Sequence, residues 1–358
     1  MSGLGPVDTG MLHPGVLVHT SLLVDGETGE TLGISHQDVW SRPWTKAPAR
    51  ETAEQRKQRP RQSEAWARGS KALAAAIKAE SPEGGPRVTF VADREADVYE
   101  ALIRVMDAGH GFVIRAVRDR KLADPVAEKV YSLAAGLAGP ILGTHAVVIP
   151  RRSSAEVRTA TLTLRAVSVN VLPPKNNSRK GKAIPMTVVV AREEGDVQGP
   201  RLEWMRMTDV DVSDLASAIR VVEIYKLRWR IEEFHKGLKT GCGCEDVQFD
   251  DVENTKKFLA LASVVTWHVL ALRDAARCEE KPVSPGIISP VALKILAMHD
   301  KKLPRRPNTR DVTRAVARLG GFLSRTRDGE PGWQTIWSGF RRLMEWEFAF
   351  HLLKGTSG

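Results

Sequence analysis

The sequence predicts an α/β fold that continues into a helical C-terminal region, and three observations support this prediction. The stretch "RVTFVADREADVYEALIRVMDAGHGFVIRAV" indicates a short buried strand at residues 88–92, an amphipathic helix to about Ala108 and a second strand from Phe112, which together form a β-α-β unit. Short alternating runs between residues 145 and 190 predict a β-rich segment that interrupts this pattern. After Ser213 the apolar periodicity becomes helical. We therefore expect a sheet flanked by helices.

The segments before the β-α-β unit follow the same rules. "GVLVHTSLLVDGETGETLGISHQDVW" has two extended runs around an acidic turn with glycine, which predicts an antiparallel hairpin. "RPWTKAPARETAEQRKQRPRQ" is polar and is interrupted by Pro43, Pro48 and Pro60, so we expect a loop there. "SEAWARGSKALAAAIKAES" is rich in helix formers and should end at "PEGGP". Within the later β-rich segment, the basic break "PPKNNSRKGK" predicts a mobile loop.

Composition and charge narrow the class of protein. The chain has 358 residues, of which 42% are hydrophobic, enough for two or three structural units. Lys and Arg number 53 against 43 Asp and Glu, and the net charge of +10 favours a polyanionic partner such as nucleic acid. Cys242, Cys244 and Cys278 are too few for a disulfide framework and lack zinc-site spacing. The sequence shows no signal peptide and no apolar run that we expect to span a bilayer, so we expect a soluble cytosolic chain.

The stretch "YKLRWRIEEFHKGLK" predicts one amphipathic helix with a polar face and an apolar face. At about 100° per residue, four polar side chains fall within about 60° of one another, namely Tyr225, Arg228, Glu232 and Lys239. A second stripe predicts the face toward the core, formed by Ile224, Leu227, Ile231, Phe234 and Leu238. The plain interpretation of the polar face is a solvated charged surface, and the functional interpretation is a row of groups aimed at a ligand.

Asp93 supplies a carboxylate at a place where α/β proteins build sites. It follows the strand "VTFVA" directly and precedes a helix, so it could be a helix N-cap, with further acidic residues in the first turn. The functional interpretation needs a second carboxylate, since Mg²⁺ in phosphoryl-transfer sites is bound by one or two carboxylates and substrate oxygens. Glu232 could provide it, with Arg228 and Lys239 binding phosphates as a fork and a point charge.

Together, "DREADVYE" and "YKLRWRIEEFHKGLKTG" resemble the bacterial insertion-sequence transposases of the IS-four family, of which the Tn-five transposase is the familiar member. The family signature is a Tyr, Arg, Glu and Lys at these intervals. The resemblance runs from about Val16 to Glu245, and "GGFLSRTRDGEPGWQTIWSGF" is similar to the family's C-terminal segment. It implies an RNase H-like core with an Asp, Asp, Glu triad and a β-rich insertion. It also implies cleavage of transposon ends through a hairpin intermediate with Mg²⁺, for which Mn²⁺ can substitute.

Carried over residue by residue, the resemblance assigns roles to nine positions. Asp93 matches the second catalytic aspartate and Glu232 the catalytic glutamate, and both would be metal ligands. The DNA-contacting positions are Tyr225, Arg228 and Lys239, with Trp204 stacking on a flipped base and Trp229 and Lys236 as additional contacts. From the residues alone, Trp204 would be a core aromatic in an apolar strand. His235 is expected to pack or to contact phosphate and not to bind metal.

The resemblance also implies a domain order and partners. We expect residues 1–144 to form the first part of the core without its first strand, 145–200 the β-rich insertion, 201–275 the second part of the core, and 276–358 a C-terminal helical region. The expected partners are double-stranded DNA, as transposon ends and target, and a second copy of the chain in a synaptic homodimer. No membrane is expected, and the location would be the bacterial cytoplasm, associated with the nucleoid.

The sequence departs from the family pattern at its N-terminus. In the family the first catalytic aspartate ends a strand that precedes the hairpin, and Asp8 follows no apolar run, so we do not expect it to be that aspartate. We therefore expect a truncated form that is inactive alone and is poorly soluble or only marginally folded, with a slot beside residues 88–92 that is either open or filled by an improvised segment. Two alternatives stay open. One is an RNase H-like nuclease that does not join strands, and the other is a non-enzymatic protein that pairs with a full-length transposase and inhibits it.

Overall fold

The computed structural model describes residues 4–7, 13–42, 63–123, 131–149, 158–174, 183–195, 201–277, 283, 288–325 and 328–355. Several sequence expectations fall outside these residues: the loop after Arg42, most of the basic break "PPKNNSRKGK", and the positions Asp8 and Cys278. Two compact units are present, one formed by Pro48–Arg228 and the other by Met1–Ala47 together with Trp229–Gly358. We call them the sheet unit and the helical unit.

The strands, in chain order, are β1 Gly5–Pro6, β2 Pro14–Gly15, β3 Leu17–Val24, β4 Thr31–Trp40, β5 Thr89–Ala92, β6 Gly111–Arg115, β7 Ile141–Ile149, β8 Arg158–Val171, β9 Ile184–Glu193 and β10 Glu203–Thr208. The helices are α1 Ser63–Glu80, α2 Tyr99–Asp107, α3 Ser132–Ala138, α4 Leu215–Lys226, α5 Trp229–Lys236, α6 Val252–Ala275, α7 Pro290–His299, α8 Thr309–Leu319 and α9 Trp333–Gly355. A 3₁₀ turn, Arg94–Ala96, precedes α2, and a π-helical turn, Gly237–Gly241, follows α5.

The sheet unit is built on one mixed six-stranded sheet. Its strand order is β5-β6-β10-β9-β8-β7, in which β5 and β6 are parallel and all other neighbours are antiparallel. The parallel pair and the intervening α2 confirm the expected β-α-β unit. Alternation along β6 separates two cores, since Phe112 and Ile114 pack in the layer that contains Tyr99, whereas Val113 packs in the layer that contains Val222 of α4. Helices therefore flank the sheet on both faces.

The β-rich segment belongs to this same sheet. Strands β7, β8 and β9 form continuous antiparallel ladders, and β10 joins them to β6 through pairs such as Arg206 with Arg115. β7 begins at Ile141, a few residues before the expected start of the segment. The domain boundaries given above stay predictions.

Among the described strands, β5 lies at one edge of the sheet. β5 pairs with β6 on one side, and in the described part of the chain no strand pairs with its other side. The N-terminal hairpin, β3 with β4, forms its own two-stranded sheet. Within the described residues this corresponds to the first of the two arrangements expected beside residues 88–92, an open slot. Unpaired backbone groups on such an edge need water or another chain segment as partners.

The helical unit has two cores. In the first, the hairpin packs on α5 and α6 through Leu22, Ile34 and the buried Phe234 and Leu270. In the second, α6 packs with α7, α8 and α9, whose fully buried side chains include Leu272, Leu296, Val316 and Ile336. The expected C-terminal helical region is thus present as α7, α8 and α9.

The expectation of one continuous helix from Tyr225 to Lys239 is wrong. α4 ends at Lys226, and the amides of Leu227 and Arg228 each donate to the carbonyl three residues earlier, at 3.1 Å, so the turn tightens and the helix breaks. α5 then ends at Lys236, after which the backbone widens into the π-helical turn. Because the spacing of 100° per residue applies only to an uninterrupted α-helix, the four signature residues do not lie along one helix face.

One helix qualifies the expectation about membranes. α6, Val252–Ala275, is long and apolar enough by length and composition to cross a bilayer, although 61% of its most apolar window is buried inside the protein. Its last turn carries Arg273 and Asp274, which are buried and paired with other charged groups. These features are typical of a core helix and give only weak evidence for a span.

Candidate active site and nucleic-acid interface

Asp93 lies at the carboxyl end of β5, as predicted, and it caps the turn that follows. Its Oδ1 accepts a hydrogen bond of 2.9 Å from the amide of Glu95, and its backbone is extended, as is usual for an N-cap. The side chain is half-buried. The capping interpretation is therefore correct, and it fixes the carboxylate at the strand end without engaging its second oxygen in any hydrogen bond within the described residues.

Asp97, four residues further on, has a purely structural environment. Its side chain is fully buried and forms an ion pair with Arg120, and its Oδ2 accepts hydrogen bonds of 2.8 Å from the amides of Val117 and Arg118. It fastens the chain after β6 to the turn that follows Asp93. Removing a buried charge of this kind would leave its partner unpaired, so Asp97 stabilises the strand ends that position Asp93.

The sheet unit brings Arg206, Trp204 and Arg228 together around Tyr225. The guanidinium carbon of Arg206 lies 3.6 Å from the centre of the Tyr225 ring and 5.7 Å from that of Trp204. The guanidinium carbon of Arg228 lies 5.9 Å from the same Tyr225 ring. Arg115 is directly opposite Arg206 on the neighbouring strand. We call these five residues the arginine cluster.

Arg206 and Arg115 are the members of the cluster that sequence reasoning missed, and Arg206 is the buried one. It is only 6% exposed, and burial, together with the nearby charges of Arg115 and Arg228, lowers its pKa to about 10, although Tyr225 partly offsets these effects. A sequence signal did exist, since Arg206 stands two residues after Trp204 and so shares its strand face. An arginine on that face could have been recognised as a companion of the tryptophan.

Trp204 has features of a core aromatic and also of a residue that stacks on a base. Its ring is half-buried and packs with Tyr225 against the core between the sheet and α4, as a core aromatic would. It also borders Arg206 at cation-π distance. The structure therefore places an amphipathic indole next to positive charge, which is a setting in which aromatic rings stack on bases.

The helical unit carries the remaining candidate residues. Glu232 is half-buried on α5, while Trp229 is 54% exposed and Lys236 is exposed. Lys239 is exposed in the π-helical turn and forms an ion pair of 2.6 Å with the exposed Glu245. Exposed pairs of this kind contribute about 0–1 kcal/mol, so Lys239 can exchange its partner at little cost.

The π-helical turn that carries Lys239 depends on two glycines. A Cβ at Gly237 would lie 2.5 Å from Cγ2 of Thr266, and a Cβ at Gly241 would lie 2.7 Å from the ring of Trp333. Trp333 stacks in turn on Trp337, with ring centres 5.6 Å apart. The turn therefore rests directly on α6 and α9, which is possible only without side chains at the two glycines.

A buried ionic network fastens the helix that carries Glu232. Glu233 accepts two hydrogen bonds from Arg273, at 2.7 and 2.8 Å, and Arg230 contacts both Glu233 at 3.2 Å and Asp274 at 3.1 Å. The other oxygen of Asp274 accepts from the hydroxyl of Thr31 at 2.8 Å. Burial alone would raise the pKa of Glu233, but the two arginines outweigh it and lower that pKa. The network joins α5, α6 and the hairpin.

His235 is a weaker base than a free histidine, because its pKa is lowered. Burial and the charge of Lys239 lower its pKa, while Glu232 opposes the shift. Its Nε2 is buried, with no hydrogen-bond partner among the described residues. These observations favour packing, which was one of the two expected roles.

The two carboxylates of the expected metal site come from different parts of the fold. Within the part of the chain that the structure describes, no group of three or more His, Cys, Asp or Glu side chains is placed to hold a metal ion. Asp93 belongs to the sheet unit and Glu232 to the helical unit. Their approach to a shared ion therefore stays a prediction. Both donors are carboxylates, and hard oxygen ligands of this kind suit Mg²⁺.

A strand-end carboxylate, a second carboxylate on a helix, and clustered arginines beside aromatic rings define a candidate metal-dependent enzyme of nucleic acid. Comparison with protein families supports this class of enzyme. Residues 68–267 match the Transposase DDE domain, and residues 271–349 match the Transposase Tn5 dimerisation domain. The DDE match covers more than half of the chain, and the chain belongs to the DDE transposase family. This confirms the expected family and the α/β, RNase H-like fold class, and the family's chemistry is phosphodiester cleavage and transfer.

Proposed function

We propose that this protein acts on transposon ends, with Asp93 and Glu232 as carboxylates of the catalytic site. The observation that supports this most is the agreement of the DDE match with the position of Asp93 at the carboxyl end of β5. When bound there, Mg²⁺ or Mn²⁺ would activate an attacking oxygen and stabilise the departing one. The protein's own contribution is a carboxylate fixed by its capping bond in one unit and a carboxylate on an ion-paired helix in the other.

The proposed DNA contacts are basic and aromatic residues of the two units. Tyr225 and Arg228 lie in the arginine cluster, Lys239 and Lys236 are exposed, and Trp229 offers an exposed indole. Arginine and lysine would bind phosphates and thereby position the duplex, while aromatic rings would stack on bases. Trp204 would take the base that leaves the stack near the cut. The basic chain as a whole favours this partner.

A homodimer is the proposed assembly, built on the C-terminal helices. The dimerisation match spans α7, α8 and most of α9. Large apolar side chains are exposed near the end of α9, where Phe348 is 67% and Leu353 is 71% exposed. Exposed apolar patches of this kind commonly mark protein interfaces. The proposed location is the bacterial cytoplasm, in association with the nucleoid.

Cleavage of end-containing DNA is the direct test. If its catalytic site is complete, the purified protein, incubated with Mg²⁺ and its element's end sequence, should release a nicked or hairpin product, whereas the truncated form expected from the sequence should release none. Asp93→Asn and Glu232→Gln should abolish that product. Asparagine caps a helix as well as aspartate, so Asp93→Asn removes the charge and leaves the cap. Cleavage that persists in both variants would contradict the assignment of the carboxylates.

Two other outcomes identify the alternatives. If the wild-type protein cuts DNA but never joins a 3′-hydroxyl end to target DNA, it is a nuclease on the same core. The inactive form expected from the sequence predicts no cutting at all. In that case the dimerisation region favours a role as a partner subunit, which would lower the activity of an intact transposase of the same element in a mixing experiment.

A further inference from the structure

Two arginines face each other on neighbouring strands, and no carboxylate of the described residues pairs with either of them. Arg206 of β10 and Arg115 of β6 are direct cross-strand partners, so their side chains leave the sheet on the same face. Like charges in this position destabilise a sheet. Arg228 lies at the same Tyr225 ring as Arg206, so a third guanidinium is close to this pair. An anion bound among these guanidinium groups would offset their mutual repulsion.

Arg206 itself lacks a counter-charge. Among the described residues its hydrogen bond is to the neighbouring carbonyl of Met205, at 3.1 Å, and no carboxylate pairs with it. A guanidinium has five N–H donors, so most of its donors are unused. Stacking on Tyr225 offsets part of the cost of burying the charge but does not neutralise it. For comparison, the equally buried Arg120 is paired with a carboxylate.

We propose that Arg206, with Arg115 and Arg228, forms a binding site for a backbone phosphate of nucleic acid. This inference deepens the proposed DNA interface and rests on it. Arg115 is exposed and Arg228 half-buried, so they form the accessible rim, while Arg206 is the desolvated floor. One phosphate would convert the repulsion within the cluster into attraction, and planar guanidinium groups match phosphate oxygens in pairs. Trp204, beside Arg206, would contact the adjoining nucleotide.

A salt titration of DNA binding tests the site. The probe is a fluorescein-labelled 30-base-pair duplex of mixed sequence, with binding followed by anisotropy between 50 and 300 mM NaCl. Each phosphate contact contributes about 0.9 to the slope of log K against log salt. Arg206→Met should therefore lower the slope by about one and weaken binding roughly tenfold near 0.1 M salt. Arg206→Lys should keep the slope, because it keeps the charge.

Two controls separate a binding role from a structural one. The Tm of Arg206→Met should equal or exceed that of the wild type, because an uncompensated buried charge is removed. Lys78→Met removes the same charge from α1, whose Trp66 packs on the opposite face of the sheet, and it should leave the slope unchanged. Should Arg206→Met fold poorly, Arg115→Met at the exposed rim gives the same test.

The outcomes distinguish this inference from the function on which it rests. If the wild type binds the duplex but the slope is unchanged in Arg206→Met and Arg115→Met, the phosphate site does not exist and the transposase assignment stands. If the wild type shows no salt-dependent binding, the DNA interface and the site are both refuted. A lower slope in these two variants, with Lys78→Met unchanged, supports the site.

Discussion

Replacing Arg273 by methionine should destabilise the helical unit more than any comparable change at its surface. The Arg273 side chain is 3% exposed, and its guanidinium makes two hydrogen bonds with Glu233 and contacts Asp274. Methionine fills a similar volume, so the change removes the charge and the hydrogen bonds with little loss of packing. Glu233 would retain one arginine, Arg230, at 3.2 Å.

The expected magnitude follows from which charges remain unpaired. Breaking a buried ion pair by removing one partner costs about 3–5 kcal/mol. Glu233 is 28% exposed and Asp274 keeps Arg230 and Thr31, so both carboxylates retain partial compensation. We therefore expect a loss near the lower limit, about 3 kcal/mol. This is a large share of a domain's usual stability of about 5–15 kcal/mol.

The assay is urea denaturation followed by tryptophan fluorescence, since Trp267 and Trp333 both lie in the helical unit. Arg341→Met is the matched control, because Arg341 is 69% exposed and lies 4.0 Å from its partner Glu345, and its loss should be below about 1 kcal/mol. A double mutant that also carries Glu233→Leu should recover part of the stability. A loss in Arg273→Met as small as that of the control would refute the network as a stabilising feature.

Three further predictions concern charge, pH and assembly. Arg228→Ala and Lys239→Ala should each lower the salt slope of DNA binding by about one, and unchanged slopes would mean that these residues are merely solvated. Burial lowers the pKa of His110 below its usual 6.5. The unfolded chain then binds the proton more readily, so Tm should fall as pH drops below about 6.5. His110→Phe should reduce this fall, and an identical pH profile would contradict the reasoning. Phe348→Glu should convert a dimer to a monomer in light scattering, and an unchanged mass would exclude that face.

Local periodicity predicted much of the fold. The strand at Thr89–Ala92, the helix at Tyr99–Asp107 and the hairpin from Leu17 to Trp40 were recognisable because each pattern lies within a short window. The helix Ser63–Glu80 followed from composition. These elements needed no knowledge of distant contacts. A short stretch of sequence could not show that β7, β8 and β9 continue the sheet of β6, because strand pairing depends on contacts between distant parts of the chain.

The signature helix shows where such reasoning fails. Its spacing suits one continuous helix, yet the backbone breaks at Leu227 and widens at Gly237–Gly241. The widened turn fits against Trp333 and Trp337, which are nearly a hundred residues away in the chain. A contact of that range competes with local propensity and has no trace in the motif itself. Arg206 was missed for a related reason, because its significance lies in the cross-strand partner Arg115.

Asp93 shows that a structural and a catalytic interpretation need not exclude each other. The capping bond from Glu95 uses Oδ1, and it restricts the rotation of the carboxylate at the end of β5. A ligand that is already oriented loses less entropy when a cation binds, so the cap prepares the second oxygen for that role. Asp93→Ala should therefore lower stability by about 1 kcal/mol and abolish cleavage, whereas Asp93→Asn should abolish cleavage alone. If the two variants lost equal stability, the cap would not be what holds this carboxylate in place.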